Sequence, residues 1–130
     1  MIGDNPNGPG EVVLRIIGGM IVSASQTVTD PRGRQVEIDR TDRHPINGKD
    51  INHDEIEQVI RNPGQVWEGS EMDHYVRKIN GKWVIVRVYR ELEKISTAVV
   101  KTSKAAAKEY IENEWGLSGN RVYGPGWHKL

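Results

Sequence analysis

The sequence contains no cysteine, so disulfide bonds and thiolate metal sites are excluded. Histidine is scarce as well. The four present, His44, His53, His74 and His128, include no pair at the helical spacing of a metal-binding motif, and neither a metal nor another cofactor is expected. No apolar run is long enough to span a bilayer as a helix. VVLRIIGGMIV, from Val12 to Val22, reaches about half of the ~20 residues required and is interrupted by Arg15 and Gly18-Gly19. A signal peptide is not visible either, and no membrane partner is expected. Net charge is also missing, with 18 Lys and Arg against 18 Asp and Glu.

That neutrality conceals a division. From Asp50 to Asp73 there are seven acidic residues and one basic residue, whereas from His74 to Lys108 there are nine basic and two acidic. Such asymmetry suits either an anionic partner for one surface or pairing between the two halves of the chain. With 130 residues, 36% of them hydrophobic, the chain supports one small domain with a single core. The opening MIGDNPNGPG reads as a linker over residues 1–10 from a longer parent chain. Residues 11–117 form the expected domain, and 118–130 a tail that is mobile or wraps the surface.

The clearest local signal is HYVRKINGKWVIVRVY, His74 to Tyr89, in which Asn80-Gly81 separates two alternating runs. This pattern predicts a hairpin closed by a two-residue type I′ turn. The turn sets the register: Ile79 faces Lys82, Lys78 faces Trp83, Val76 faces Ile85, and His74 faces Arg87. Met72, His74, Val76, Lys78, Trp83, Ile85, Arg87 and Tyr89 then share one face. Tyr75, Ile79, Val84, Val86 and Val88 share the other, which has the character of a core, with Asp73 and Arg77 toward one end.

Around the hairpin the elements are shorter. Val12 to Val28 fits a packed helix or a buried strand, and periodicity does not separate them. Asp30-Pro31-Arg32-Gly33 is a turn, and Gln35 to Asp39 a short strand. Asn52 with Glu55 three residues later predicts a capped helix with Ile56, Val59 and Ile60 on its apolar face, stopped by Asn62-Pro63-Gly64. Gln65 to Gly69 and Lys94 to Lys101 are further strands. Thr102 or Ser103 caps a second helix along which Ala107, Ile111 and Trp115 recur at spacing four. The expected fold class is α+β: a small antiparallel sheet of three to five strands, helices packed on one face, and an open basic face opposite.

RHPI, the helix DEIEQVIRNP, the hairpin YVRKINGKWVIVRV and the strand ISTAVV together resemble the barnase–EndoU–colicin–RelE group of small metal-independent ribonucleases. The likeness spans Arg43 to Val100 and is nearest to the versions that form the C-terminal toxin domains of polymorphic or contact-dependent growth inhibition toxins. It implies an endoribonuclease that cleaves tRNA or another structured RNA, acts in the cytoplasm of a target bacterium after delivery as part of a larger secreted or surface protein, and is neutralised by a cognate immunity protein. A free monomer is expected.

Such chemistry needs a base for the 2′-hydroxyl, an acid for the leaving 5′-oxygen and cations for the phosphorane. By resemblance, His44 is the group's histidine and Thr97 the hydroxyl of its closing strand. Lys78 and Arg87 lie on the hairpin face as phosphate ligands, and His74 joins them from the register alone as a second proton-transfer group. Arg43, Tyr89, Trp83 and Ser96 are the expected substrate-binding residues, the aromatics by stacking on bases. A non-enzymatic interaction module, an immunity or adaptor protein using the acidic segment, is the competing expectation. A nucleotide-using transferase is weaker, since no glycine-rich phosphate loop is present.

Overall fold

The computed structural model describes residues 12–17, 20–39, 51–114 and 119–130. Eight strands appear among them: β1 (Val12–Ile17), β2 (Met20–Thr29), β3 (Gln35–Asp39), β4 (Gln65–Glu68), β5 (Met72–Ile79), β6 (Lys82–Tyr89), β7 (Lys94–Lys101) and β8 (Asn120–Tyr123). All belong to one sheet, in the order β1-β2-β3-β7-β6-β5-β4-β8. Every junction is antiparallel except β3–β7, a parallel contact with Glu37 opposite Lys94.

The expected small sheet of three to five strands with helices on one face is therefore incorrect. The described residues form a larger, mixed, mostly-sheet fold with two short helices, one on each face. Two segments account for the difference. The apolar run after Val12, ambiguous by period, becomes the β1–β2 pair, and the C-terminal segment adds β8 to the far edge.

Helix α1 (His53–Arg61) starts where Asn52 accepts a hydrogen bond from the Glu55 amide at 2.8 Å while Glu55 accepts from the Asn52 amide at 3.2 Å. This reciprocal cap satisfies two donors that the first turn leaves unpaired. Ile56, Val59 and Ile60 are fully buried against Val28, Val36, Ile38, Tyr75, Val84, Val86 and Val88, which form the main core behind the sheet. The alternation of the hairpin strands puts Tyr75, Ile79, Val84, Val86 and Val88 on this side, as their spacing predicts. Asn80 and Gly81 both have positive φ, +50° and +81°, which closes the two-residue turn.

The other face of the sheet is not open. Ser103 caps α2 (Lys104–Glu109), whose course continues as a π-helical stretch over Tyr110–Glu114. Ala107, Tyr110 and Ile111 lie on Val76, Trp83 and Ile85, together with Trp127 and the half-buried Trp67, Val99 and Leu130. An open basic face cannot form here because Val76, Trp83 and Ile85 are themselves apolar and need cover.

Candidate functional site

The predicted hairpin register is the observed one, with Ile79 opposite Lys82, Lys78 opposite Trp83, Val76 opposite Ile85 and His74 opposite Arg87. Across the next junction, Arg87 faces Thr97, and on the other side Trp67 faces both His74 and Arg121. A row therefore crosses five strands: Arg121, Trp67, His74, Arg87, Thr97. It brings together three of the residues expected to be catalytic, His74, Arg87 and Thr97, from strands β5, β6 and β7.

The environment of the row departs from the expected open basic face. His74 is 1% exposed, and among the described residues its Nε2 has no hydrogen-bond partner. Burial, and then the neighbouring Arg87 charge, hold the imidazole down to about 4, so it is neutral at physiological pH. Arg87 is half-buried, and its guanidinium lies 3.1 Å from the Met72 sulfur through Nη2. Thr97 is half-buried beside the bulge that displaces β7 against β6, and Ser96 occupies that bulge.

The remaining expected residues are dispersed. Lys78 is exposed near the hairpin turn, four residues from His74 along β5, or roughly 13 Å at the rise of a strand. Trp83 is 5% exposed beneath the aromatic cover and offers no free ring face to solvent. Tyr89 is 39% exposed at the opposite end of β6, where it borders a cleft of about 270 Å³ with Ser70, Glu71, Arg90, Glu91 and Leu92. Arg43 and His44 lie outside the described residues. Among the described residues no cluster of three or more His, Asp or Glu side chains is placed to hold a metal ion.

Sequence reasoning missed a polar network at the end of the main core. Asp73 is completely buried and accepts from Arg90 through Nε at 3.0 Å and Nη2 at 2.9 Å, and from Arg34 through Nη1. Asp30, also buried, accepts from the Tyr75 hydroxyl at 2.7 Å and from the amides of Arg32 and Arg34 at 2.9 and 2.8 Å. Arg32 reaches Glu68 at 2.9 Å. Burial, and then the Asp30 carboxylate, push the Tyr75 phenol well above its ordinary range. The network ties the β2–β3 turn to β5 and to the turn after β6. Its one legible sign was the Asp73 placed among core residues of the hairpin, which asks for partners because a buried charge must be paired.

The described part of the C-terminal segment, 119–130, runs along the edge and front of the sheet. Beyond β8, Trp127 opens a short 3-10 turn (Trp127–Lys129) and packs its ring on Trp67, with centroids 6.3 Å apart, and against Trp83 at 6.5 Å. Its indole donates to Glu112 at 3.2 Å, while its carbonyl accepts from Lys104 at 2.9 Å. Gln65 holds the strap in between by donating to the Pro125 carbonyl at 2.7 Å.

Comparison with protein-family models, with curated proteins and with solved structures finds no match.

Proposed function

We propose that the protein is a metal-independent endoribonuclease whose phosphate-binding centre is the row His74–Arg87–Thr97. The observation that carries this reading is the alignment of those side chains across three adjacent strands, His74 opposite Arg87 by the hairpin register and Arg87 opposite Thr97 by the β6–β7 pairing. Arg87 supplies the charge for the phosphorane, which in phosphoryl chemistry is the largest contribution, and the Thr97 hydroxyl orients the scissile phosphate. His44 takes the proton-transfer role that the resemblance gives it. The 2′-oxygen loses its proton and bonds to phosphorus, the bond from phosphorus to the 5′-oxygen breaks, and that oxygen gains a proton. The products are a 2′,3′-cyclic phosphate and a free 5′-hydroxyl.

His74 enters as a neutral group beside the cation and not as an acid, because its environment disfavours the imidazolium. Transfer RNA or another structured RNA is the proposed substrate. Use as a bacterial toxin held in check by an immunity protein is the proposed setting, both resting on the ribonuclease resemblance. The test is incubation of the purified protein with total bacterial RNA in excess EDTA, alongside His44→Ala, Arg87→Ala and Arg87→Lys. The expected result is discrete fragments ending in cyclic phosphate from the wild type, absent from His44→Ala and Arg87→Ala, with partial recovery in Arg87→Lys. Intact RNA from the wild type overturns the proposal.

A specific observation favours a second reading, the interaction module. The cover over Trp83 and His74 leaves the front of the sheet without a ready cleft. That reading predicts no RNA cleavage and a partner bound with the wild-type affinity by the Arg87→Ala protein.

A further inference from the structure

We infer that residues 119–130 are a displaceable strap, and that Trp127 occupies a slot on Trp67 and Trp83 that takes a nucleobase of single-stranded RNA when the strap lifts. The inference deepens the ribonuclease reading and rests on it for the identity of the ligand.

Three features of the strap point this way. Its strand is the outermost of the sheet, and all four of its residues are exposed, including Val122 and Tyr123 at 37% each. The large side chain it buries deeply is Trp127, at 8% exposure, a planar ring lying within 24° of parallel to Trp67. That is the geometry in which an aromatic side chain receives a base. Finally, Trp67 belongs to the polar row, so a base in the slot would lie two strands from Arg87, about 10 Å at ordinary strand spacing. The slot and the phosphate ligand thus share one face of the sheet, and Trp127 of the strap covers the slot.

A tight backbone crossing at Gly124 adds to the β4–β8 pairing and to the Gln65, Lys104 and Glu112 hydrogen bonds that hold the strap down. Gly124 has φ +89°, and a Cβ there would lie 2.0 Å from the Gly64 carbonyl oxygen. Gly124→Ala therefore forces the strap away from the α1–β4 connection while leaving strands β1 to β7 and α1 unsubstituted. Trp127→Ala empties the slot by a different route.

The full-length wild type, Gly124→Ala and Trp127→Ala are compared for binding of a 2′-O-methyl RNA hexanucleotide, which cannot be cleaved, by fluorescence anisotropy of a labelled strand. Hydrogen exchange of the wild type is followed in parallel. Both variants are expected to bind about tenfold more tightly, within what one stacked base contributes. In the wild type, the amides of 119–123 are expected to exchange well before those of the β5–β6 hairpin. Unchanged or weaker binding in both variants overturns the strap, as does exchange of 119–123 only with global unfolding. Cleavage of total RNA separates this from the parent reading. Tighter binding without cleavage by any form keeps the strap and removes the ribonuclease; cleavage by the wild type without tighter binding in the variants does the reverse.

Discussion

The buried His74 makes stability depend on pH in a direction that can be worked out in advance. The side chain is 1% exposed and its imidazole is held near 4 by burial and by Arg87, against an ordinary value of 6.5. In the folded protein it is neutral throughout that interval, whereas the unfolded chain takes up a proton below 6.5. The unfolded state thus binds more protons, and stability falls as pH falls. The contribution is fully present above pH 6.5 and is lost progressively toward pH 4. The interval corresponds to roughly 3 kcal/mol if the whole range is crossed, a large part of the ~5–15 kcal/mol that a domain of this kind possesses.

The assay is urea denaturation at several pH values for wild type and His74→Leu. Carboxylates titrate in the same range in both proteins, so the difference between the two curves isolates the imidazole. The wild type should lose about 2–3 kcal/mol more than the variant on going from neutral pH to near 4. At neutral pH the variant should be within about 1 kcal/mol of wild type, since the Nε2 that lacks a hydrogen-bond partner is then no longer buried. Parallel curves for the two proteins, or an NMR titration placing the imidazole near its ordinary value, would refute the reasoning. The same titration bears on the chemistry, because an imidazole that ionises near 4 cannot serve as the acid at neutral pH.

Three further substitutions probe other parts of the fold. Asp73→Asn removes the charge that Arg34 and Arg90 share, and should cost about 2–3 kcal/mol in urea denaturation, somewhat below a fully buried pair because the Arg90 side chain is 35% exposed. A loss under about 1 kcal/mol would mean the network contributes little. Asn52→Ala should lower stability by about 1 kcal/mol through loss of the reciprocal cap, read as a shift in urea midpoint with an unchanged slope. Gly81→Ala places a side chain at φ +81° in the hairpin turn and should lower the Tm at a cost of about 1 kcal/mol or more; an unchanged Tm would show that the turn does not hold the register.

What the sequence made legible was local. Alternation around Asn80-Gly81 contained the hairpin, its register and its core face, because the turn type and the pleat together leave one pairing. Asn52 and Glu55 marked α1 for the same reason: cap and helix are three residues apart. From that register alone followed the alignment of His74 with Arg87. The other features depend on residues far apart in the chain. Asp30 and Tyr75 are separated by 45 positions and Arg34 and Asp73 by 39, and no period or spacing announces such pairs. Likewise, VVLRII offered no turn residue or alternation that would tell strand from helix, and its pairing with β2 was settled by the sheet. Trp127 follows Gly124-Pro125-Gly126, which breaks any period running from β8, so its packing on Trp67 and Trp83, 60 and 44 positions away, was invisible until the strap's path was known.

The charge asymmetry is the most instructive case, since both of its possible meanings could be stated beforehand. Several of the basic residues after His74 have partners within the chain. Lys82 pairs with Glu55 at 3.2 Å, Arg90 with Asp73, Lys94 with Glu37 at 3.5 Å, and Arg77 donates to the Asn62 carbonyl at 2.6 Å. On the acidic side, Glu57 takes Arg61 and Glu68 takes Arg32. Such pairing neutralises part of the basic excess that the charge count suggested, and it links α1, the β2–β3 turn and the hairpin. It also changes how an RNA would have to be held. A diffuse cationic field acts at a distance and is weakened by salt. The cation of the row, Arg87, is half-buried beside Met72 and His74, where solvent screens it less. Recognition by this face would therefore depend on one well-placed guanidinium and on aromatic stacking more than on net charge, and its affinity for RNA should fall only shallowly with added salt. A steep salt dependence, corresponding to release of many counterions, would instead relocate the interface to the exposed lysines, Lys78 and Lys108 among them.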